Sequence, residues 1–272
     1  MTILVTGATG NVGRHVVHTL FQSGRSVRAL SRNPKAAILP EEVEVVYGDL
    51  TMPETLVPVL KGIEGIFLLT SSAGGSPLQT GSEIIELAVK AGVRRIVMLW
   101  NGEKGTVERA TEASDLEWTH IHPYCEFMSN TLAWTESIRT ERVVREPFGD
   151  TPNAVIHEAD VAAVAATVLT QDGHAGKTYV LTGPEALTPR DKARMIGEAL
   201  GRNIRFSELS KDQAHERMKT MNLPEDVIEY VLHWHENLPA EAYTVVPTVK
   251  EVTGQQARTF AQWVTAHIQD FS

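Results

Sequence analysis

Gly7-Ala8-Thr9-Gly10-Asn11-Val12-Gly13 decides how this chain is read. Thr2 to Thr6, apolar and β-branched, precedes it and reads as a buried strand. Val12, Val16, Val17, Leu20 and Phe21 follow at helical spacing, with a stop at Gly24. Ser26 to Leu30 reads as a second strand. Strand, glycine turn, helix and strand in this order make a βαβ unit. The glycines let the chain turn sharply and bring a diphosphate close to bare backbone. They also let the helix pack tightly on the strand. N–H groups at the helix start then hold the phosphates. A spaced-glycine string alone is weak; the strand before it and the helix after it give it weight. Gly7, Thr9, Gly10, Asn11, Val12 and Gly13 are therefore candidate cofactor-binding residues.

The end of the second strand selects the dinucleotide. A site for NAD usually places Asp or Glu there, to accept from the ribose hydroxyls. No acidic residue stands between Gly13 and Glu41, an interval that carries Arg14, Arg25, Arg28, Arg32 and Lys35. A carboxylate would repel a 2′-phosphate, whereas an Arg fork chelates it. Ser31, Arg32 and Lys35 are placed at the adenosine ribose, and NADP(H) is expected in preference to NAD(H). Arg25, and in part Arg28, reads as a solvated surface residue.

Further on, Val43 to Tyr47 is a third strand, ending at Gly48-Asp49-Leu50. Ligands of doubly wound sheets lie at the carboxyl ends of the strands, which puts Asp49 and Leu50 at the adenine edge. Asp49 also reads as the cap of a short helix over 53–61; the two roles are compatible. Gly65 to Leu69 is a fully apolar fourth strand, as buried parallel strands are. It runs into Thr70 and Ser71, candidates for the diphosphate and ribose, and then Gly74-Gly75, which reads as a mobile loop or a plain connector. A helix over 82–91, a strand over 95–99, a helix over 106–113 and a strand over 117–123 complete the alternation. Such alternation predicts an α/β fold, a Rossmann-type doubly wound parallel sheet.

The pattern changes at Tyr124. Residues 124–152 read as loop and helix over the mouth of the site. Asp160 reads as the cap of an apolar helix over 161–169. A strand over 178–181 follows, then a helix from Thr188-Pro189 to Leu200, and a short strand over 203–207. The remainder is largely helical, over 211–221, 224–234 and 259–268. The expected organisation is one domain over 1–272. A Rossmann core spans about 1–123 and 154–182, and a smaller, mostly helical substrate lobe spans about 124–153 and 183–272.

Bulk properties narrow the field. A net charge of −9 disfavours nucleic acid and anionic membrane as partners, which need basic surfaces. Cys125 is the single cysteine, so no intramolecular disulfide or cysteine metal cluster forms. No run is long enough to span a bilayer and no leader-like segment opens the chain, so a cytoplasmic location is expected. A monomer or a homodimer is expected.

Several strings together resemble the NmrA-like branch of the atypical short-chain dehydrogenase/reductase superfamily. They are Gly7 to Gly13, Arg28-Ala-Leu-Ser-Arg-Asn-Pro34, Gly48-Asp-Leu50 and Ala91-Gly-Val-Arg-Arg-Ile-Val97. Trp118-Thr-His-Ile-His-Pro123, Phe127-Met-Ser-Asn130, Ala159 to Ala165 and Leu181 to Thr188 belong with them. The resemblance implies a Rossmann fold binding NADP(H), with a smaller C-terminal lobe over the nicotinamide. The family holds reductases of quinones, dyes and related unsaturated compounds, and also cofactor-binding redox sensors that do no chemistry.

The chain departs from the superfamily's acid/base pattern. It has no Tyr-x-x-x-Lys string: Met128 stands four residues after Tyr124, and Trp100-Asn101 follows the fifth strand where a Ser often stands. His122 replaces the Arg that family members often carry before the proline. The usual proton relay is therefore not carried over. Proton donors are sought at the end of the sixth strand, in His122, with its suitable ordinary pKa, and in Tyr124. Each also has a plain reading, as a backbone-bonded core histidine and as a pocket wall. Pro123 joins the cofactor set. Trp100, Asn101, Glu126 and Phe127 are expected to line a substrate pocket, although a glutamate such as Glu126 is more often solvated. His120 shares the strand face with His122 but lies deeper, and His157 approaches the same mouth. His233 and His235 point in different directions on a helix, and no metal is expected. Three readings stay open: an NADPH-dependent reductase of a small, largely apolar carbonyl, quinone or imine; a non-catalytic NADP(H) sensor acting through a protein partner; and a redox-neutral epimerase or cyclase.

Overall fold

The computed structural model describes residues 1–72 and 75–272, so the expected loop role of Gly74 lies outside the described residues. The chain forms two compact units. The first comprises residues 1–124, 158–181 and 248–255. The second comprises 125–157, 182–247 and 256–272.

In the first unit the elements run β1 (Thr2–Val5), α1 (Gly13–Gln22), β2 (Ser26–Ser31), β3 (Glu44–Tyr47), β4 (Gly65–Leu69), α2 (Gly81–Lys90), β5 (Arg95–Leu99), α3 (Thr106–Glu112) and β6 (Glu117–Pro123). The second unit then opens with α4 (Thr135–Glu141) and β7 (Val143–Glu146), and the first resumes with α5 (Glu158–Thr170) and β8 (Lys177–Leu181). Next come α6 (Pro189–Leu200), β9 (Arg205–Glu208), α7 (Lys211–Thr220) and α8 (Glu225–Glu236) in the second unit. The chain returns to the first unit for α9 (Thr248–Thr253) and closes in the second with α10 (Phe260–Ala266).

Seven strands form one parallel sheet in the order β3-β2-β1-β4-β5-β6-β8. The order reverses direction between β1 and β4, the switch point at which doubly wound sheets bind ligands. The fold is the Rossmann-type α/β fold. Its central strands β1, β4 and β5 are buried on both faces, and Leu4, Ile66, Leu68, Ile96 and Met98 form one core with Ile84, Ile85 and Ala88 of α2. Arg95 is buried yet fully engaged. It bonds Glu117 Oε2 at 2.7 Å, Asp172 Oδ1 at 2.7 Å and the Gln171 carbonyl at 2.7 Å, so it ties the amino ends of β5 and β6 to the end of α5.

In the second unit β7 and β9 pair in parallel, Val143 opposite Arg205. The pairing covers a core of Trp134, Val144, Ile196, Phe260 and Trp263. The helix α6 starts as its sequence dictates, with a capping box between Thr188 and Asp191 and Pro189 in the first turn.

Some local expectations are corrected. Only Pro53–Leu56 of the expected 53–61 helix forms, as a 3-10 turn. Asp160 is not a cap, because α5 begins at Glu158 and buries Asp160 inside its first turn. Arg28 is not solvated: it bonds Glu44 Oε2 at 2.7 Å and the carbonyls of Val59 and Lys61. No helix among the described residues is long and apolar enough to cross a membrane.

Candidate functional site

The turn after β1 is shaped by two glycines. Gly7 has φ +58°, a left-handed conformation, and a Cβ there would meet Leu69 Cδ1 at 2.4 Å. Gly13 sits so close to the turn that a Cβ would lie 2.1 Å from the Gly7 carbonyl oxygen. The Gly10 N–H donates to that carbonyl at 2.9 Å and closes the turn. Among the described residues the space around Gly10 is nearly open, with the Gly7 oxygen at 3.2 Å the one near atom. The first turn of α1 has no side-chain cap and no acidic residue, which leaves its positive end to an anion. This backbone fits a diphosphate: tight where the helix packs, bare where a phosphate approaches.

A cavity of about 480 Å³ runs from this turn across the carboxyl ends of β2, β3 and β4. Gly7, Thr9, Gly10, Ser31, Arg32, Asp49, Leu50 and Ser71 all line it. Asn11, Val12, Gly13, Lys35, Thr70 and Pro123 do not. Val12 is buried behind the turn, and Lys35 is exposed beyond the wall that Asn33 and Ala36 make. Thr70 is buried, with its hydroxyl 3.4 Å from the Leu99 carbonyl. Sequence reasoning did not single out Gly48, where a Cβ would strike Leu30 Cδ1 at 2.5 Å; the Gly-Asp-Leu string was its signal.

Asp49 does not cap the 3-10 turn at Pro53, whose cap residue is Met52. Its Oδ1 accepts instead from the backbone N–H and the hydroxyl of Thr51, each at 2.8 Å. The backbone bond is the main reason the carboxyl lies below its ordinary range. Partial burial opposes it, and the Thr51 hydroxyl and the charge of Arg32 add to it. No carboxylate ends β2 itself, and Arg32 is exposed at the rim.

At the other side of the sheet, β6 carries an aromatic ladder. Trp118 and His120 are 5.0 Å apart, and Trp100 touches both His120 at 4.8 Å and His122 at 5.1 Å. The His122 ring meets Tyr124 edge-on at 4.7 Å. Alternate residues of one strand share a face, so the ladder climbs to the carboxyl end of the sheet and ends in Tyr124. His120 is fully buried and bonds Glu112 Oε1 at 3.1 Å. His122 is buried and bonded to the Asn101 backbone. Burial pushes its pKa down, the Asn101 backbone bond pulls it up, and nearby His120 lowers it again, leaving it below the usual range. His122 is thus a neutral imidazole held by backbone, not a ready cationic acid. Trp100 is held by its Nε1–H, which donates to the Glu103 carbonyl at 2.6 Å, while Asn101 is exposed and accepts from Glu103 N.

Glu126 and Phe127 belong to the second unit. Phe127 pairs with Ile156 in a parallel bridge. The solvated reading of Glu126 is corrected, since its side chain is only 15% exposed and is bonded between Lys192 and His235 in a separate cavity of that unit. His157 is also buried in the second unit, and His235 is bonded while His233 lies on another face of α8, where it meets Asn237.

Comparison with known proteins gives the family. Residues 7–172 match the family described as NAD(P)H-binding. The (4-alkanoyl-5-oxo-2,5-dihydrofuran-3-yl)methyl phosphate reductase of Streptomyces griseus is 38% identical, over 99% of this chain and 99% of the relative. The NAD(P)H azoreductase of Xenophilus azovorans is 31% identical, again over 99% of both. The crystal structure of the NADPH-dependent quinone oxidoreductase of Escherichia coli with NADPH superposes with a TM-score of 0.80. It is 25% identical and covers 97% of this chain and 99% of that one. The chain belongs to the NAD(P)H-binding family, in line with the NmrA-like resemblance of its motifs.

Proposed function

We propose that this member of the NAD(P)H-binding family transfers hydride from NADPH to a small, largely apolar acceptor whose double bond is conjugated to an electron-withdrawing group. Unsaturated lactones and quinones meet that description, as do imines and azo compounds whose C=N or N=N bond bears an electron-withdrawing substituent. The chain is an NADPH-dependent oxidoreductase of small compounds, as its relatives are. The sensor and redox-neutral readings fall behind, because relatives matching 99% of the chain are named reductases.

One observation carries the cofactor choice: the cavity joins the Gly7–Gly10 turn to Arg32, with no carboxylate at the end of β2. Backbone from Gly7 to Gly13, with Thr9 and Asn11, holds the diphosphate. Ser31 and Arg32, with Lys35 behind them, meet the 2′-phosphate. Asp49 and Leu50 border the adenine, and Thr70, Ser71 and Pro123 complete the cofactor set. The bound nucleotide supplies the hydride. Tyr124, at the top of the ladder, donates the proton that completes the two-electron reduction and regains it from water. Neutral His122, fixed by the Asn101 backbone, orients the Tyr124 ring by edge-on contact. Trp100 and Asn101 are assigned to substrate contact, whereas Glu126 and Phe127, which belong to the second unit, are not.

NADPH consumption with an unsaturated lactone, a quinone, an imine and an azo dye tests this reading. The expected result is turnover with at least one class and a product reduced by two electrons. Tight NADPH binding with no turnover on any of them would overturn it.

A further inference from the structure

The second unit encloses a cavity of about 180 Å³ that the nucleotide-binding turn does not share. That volume is below the usual range for drug-sized ligands and suits a molecule of about one ring, not a dinucleotide. Glu126, Glu146, Lys192 and His235 supply its titratable lining, with the polar groups of Trp134 and Asn153 beside them.

The charges of the lining follow from geometry. Glu126 Oε2 accepts from Lys192 Nζ at 3.1 Å, and Glu126 Oε1 lies 2.6 Å from His235 Nε2. His235 Nδ1 lies 2.8 Å from the Val231 carbonyl oxygen, which can only accept. With a carboxylate on one side and a carbonyl on the other, both ring nitrogens donate, and His235 is an imidazolium. Burial alone would raise the Glu126 carboxyl, but Lys192 and His235 hold it down at about 2. Lys192, Glu126 and His235 together therefore carry one surplus positive charge. The other carboxyl of the wall, Glu146, is held above its ordinary range by burial and accepts from Trp134 Nε1 at 2.6 Å; Arg217 and Lys192 both lie near it, and the further cation, Arg217, balances the charge it carries when ionised.

Donors are also in surplus. Among the described residues Lys192 gives one N–H, to Glu126, and stacks over the Trp134 ring at 5.4 Å. Asn153 is 4% exposed, and its Oδ1 accepts from Glu126 N at 3.0 Å, which fixes the orientation of its amide. Its Nδ2 then has no partner among the described residues. A buried amide donor left unpaired is a cost that an incoming acceptor removes.

We propose that this cavity binds the anionic oxygen group of a small organic molecule, a carboxylate or a phosphate monoester. Lys192 and Asn153 donate to the anion, and its organic part lies against Trp134, Phe148 and Leu232. The proposal goes beyond the hydride-transfer reading and does not depend on it.

Tryptophan fluorescence and calorimetry on the full chain at about pH 6, where His235 is charged, test it with benzoate, phenyl phosphate and benzyl alcohol. Benzoate or phenyl phosphate should bind saturably and at least about tenfold more tightly than benzyl alcohol. The tighter of the two names the group. Trp134→Phe should lose the fluorescence response and keep the calorimetric one. Asn153→Asp keeps the acceptor for Glu126 N but replaces the donor with an acceptor, and should weaken the anion at least about tenfold. Lys192→Met gives a second variant if Asn153→Asp does not fold, with circular dichroism and NADPH affinity as folding controls. Equal binding of benzyl alcohol and the anions would overturn the proposal. So would the absence of any saturable response, or a folded variant that binds the anion as tightly as the parent. NADPH oxidation is assayed in parallel: lost turnover with anion binding intact counts against the reductase reading alone.

Discussion

A Cβ added to Gly13 would lie 2.1 Å from the carbonyl oxygen of Gly7, so these two residues fix how closely α1 sits on the turn before it. Gly13→Ala must push the helix and the turn apart. The expected cost is about 1–3 kcal/mol in folding stability, as for other overpacked sites, with a matching loss of NADPH affinity because the N–H groups are displaced. Denaturant unfolding and NADPH titration check this. An alanine variant with parental stability and affinity would show that the contact is relieved without moving the site.

Arg32 stands at the rim of the nucleotide cavity and attracts the Asp49 carboxylate. Arg32→Glu removes the cation and adds a repelling charge. NADPH affinity should fall by about 10- to 100-fold, the range expected for losing a charge-assisted bond, while NADH affinity changes little. Equal losses for both nucleotides would separate Arg32 from the 2′-phosphate.

The first unit was legible because its signals are local. Glycine spacing, apolar strands and the periodicity of Val16, Val17 and Leu20 each stand within a few residues of one another. The second unit was less so. Val143–Glu146 is a short strand inside a charged stretch, and its partner Arg205–Glu208 lies far along the chain, so β7 went unread. The short helix Thr248–Thr253, which packs against α5, also escaped. Glu126 looked like a surface carboxylate because Lys192 and His235 stand 66 and 109 residues away, a separation that no spacing rule reaches. Arg28 looked solvated for the same reason, its carbonyl partners being Val59 and Lys61. Burial moved His122 off its ordinary pKa, and a side chain's burial is set by neighbours such as Trp100 and Gly102.

Tyr124 ends the aromatic ladder, edge-on to His122 at 4.7 Å. Tyr124→Phe keeps the ring and removes the hydroxyl. If that hydroxyl donates the proton, kcat should fall by about 100-fold or more with KM little changed. Unchanged kcat would leave Tyr124 as a wall of the pocket.

The Glu126–His235 contact should make stability depend on pH. Burial opposes the charge on His235, but the bond to Glu126 outweighs it and raises the imidazole above its usual pKa. Its contribution is complete below the unfolded value of about 6.5 and is lost as pH rises through the higher folded value. Glu126 is held at about 2, so its contribution is complete above the unfolded value and is lost only as pH falls toward 2. The pair therefore stabilises most between roughly pH 5 and 6.5. His235→Gln should cost about 1–3 kcal/mol in that window and much less in alkaline solution. Thermal melts of parent and variant across pH check this, and a difference independent of pH would refute it.

In the proposed cofactor site the turn grips a diphosphate while Arg32 receives a further phosphate. Calorimetric titration of the purified chain with NADPH and then NADH tests it most directly. Saturable heat is expected with NADPH, with an affinity at least about tenfold above that for NADH, a gap of about 1.4 kcal/mol. No heat with NADPH, or NADH bound as tightly, would contradict it.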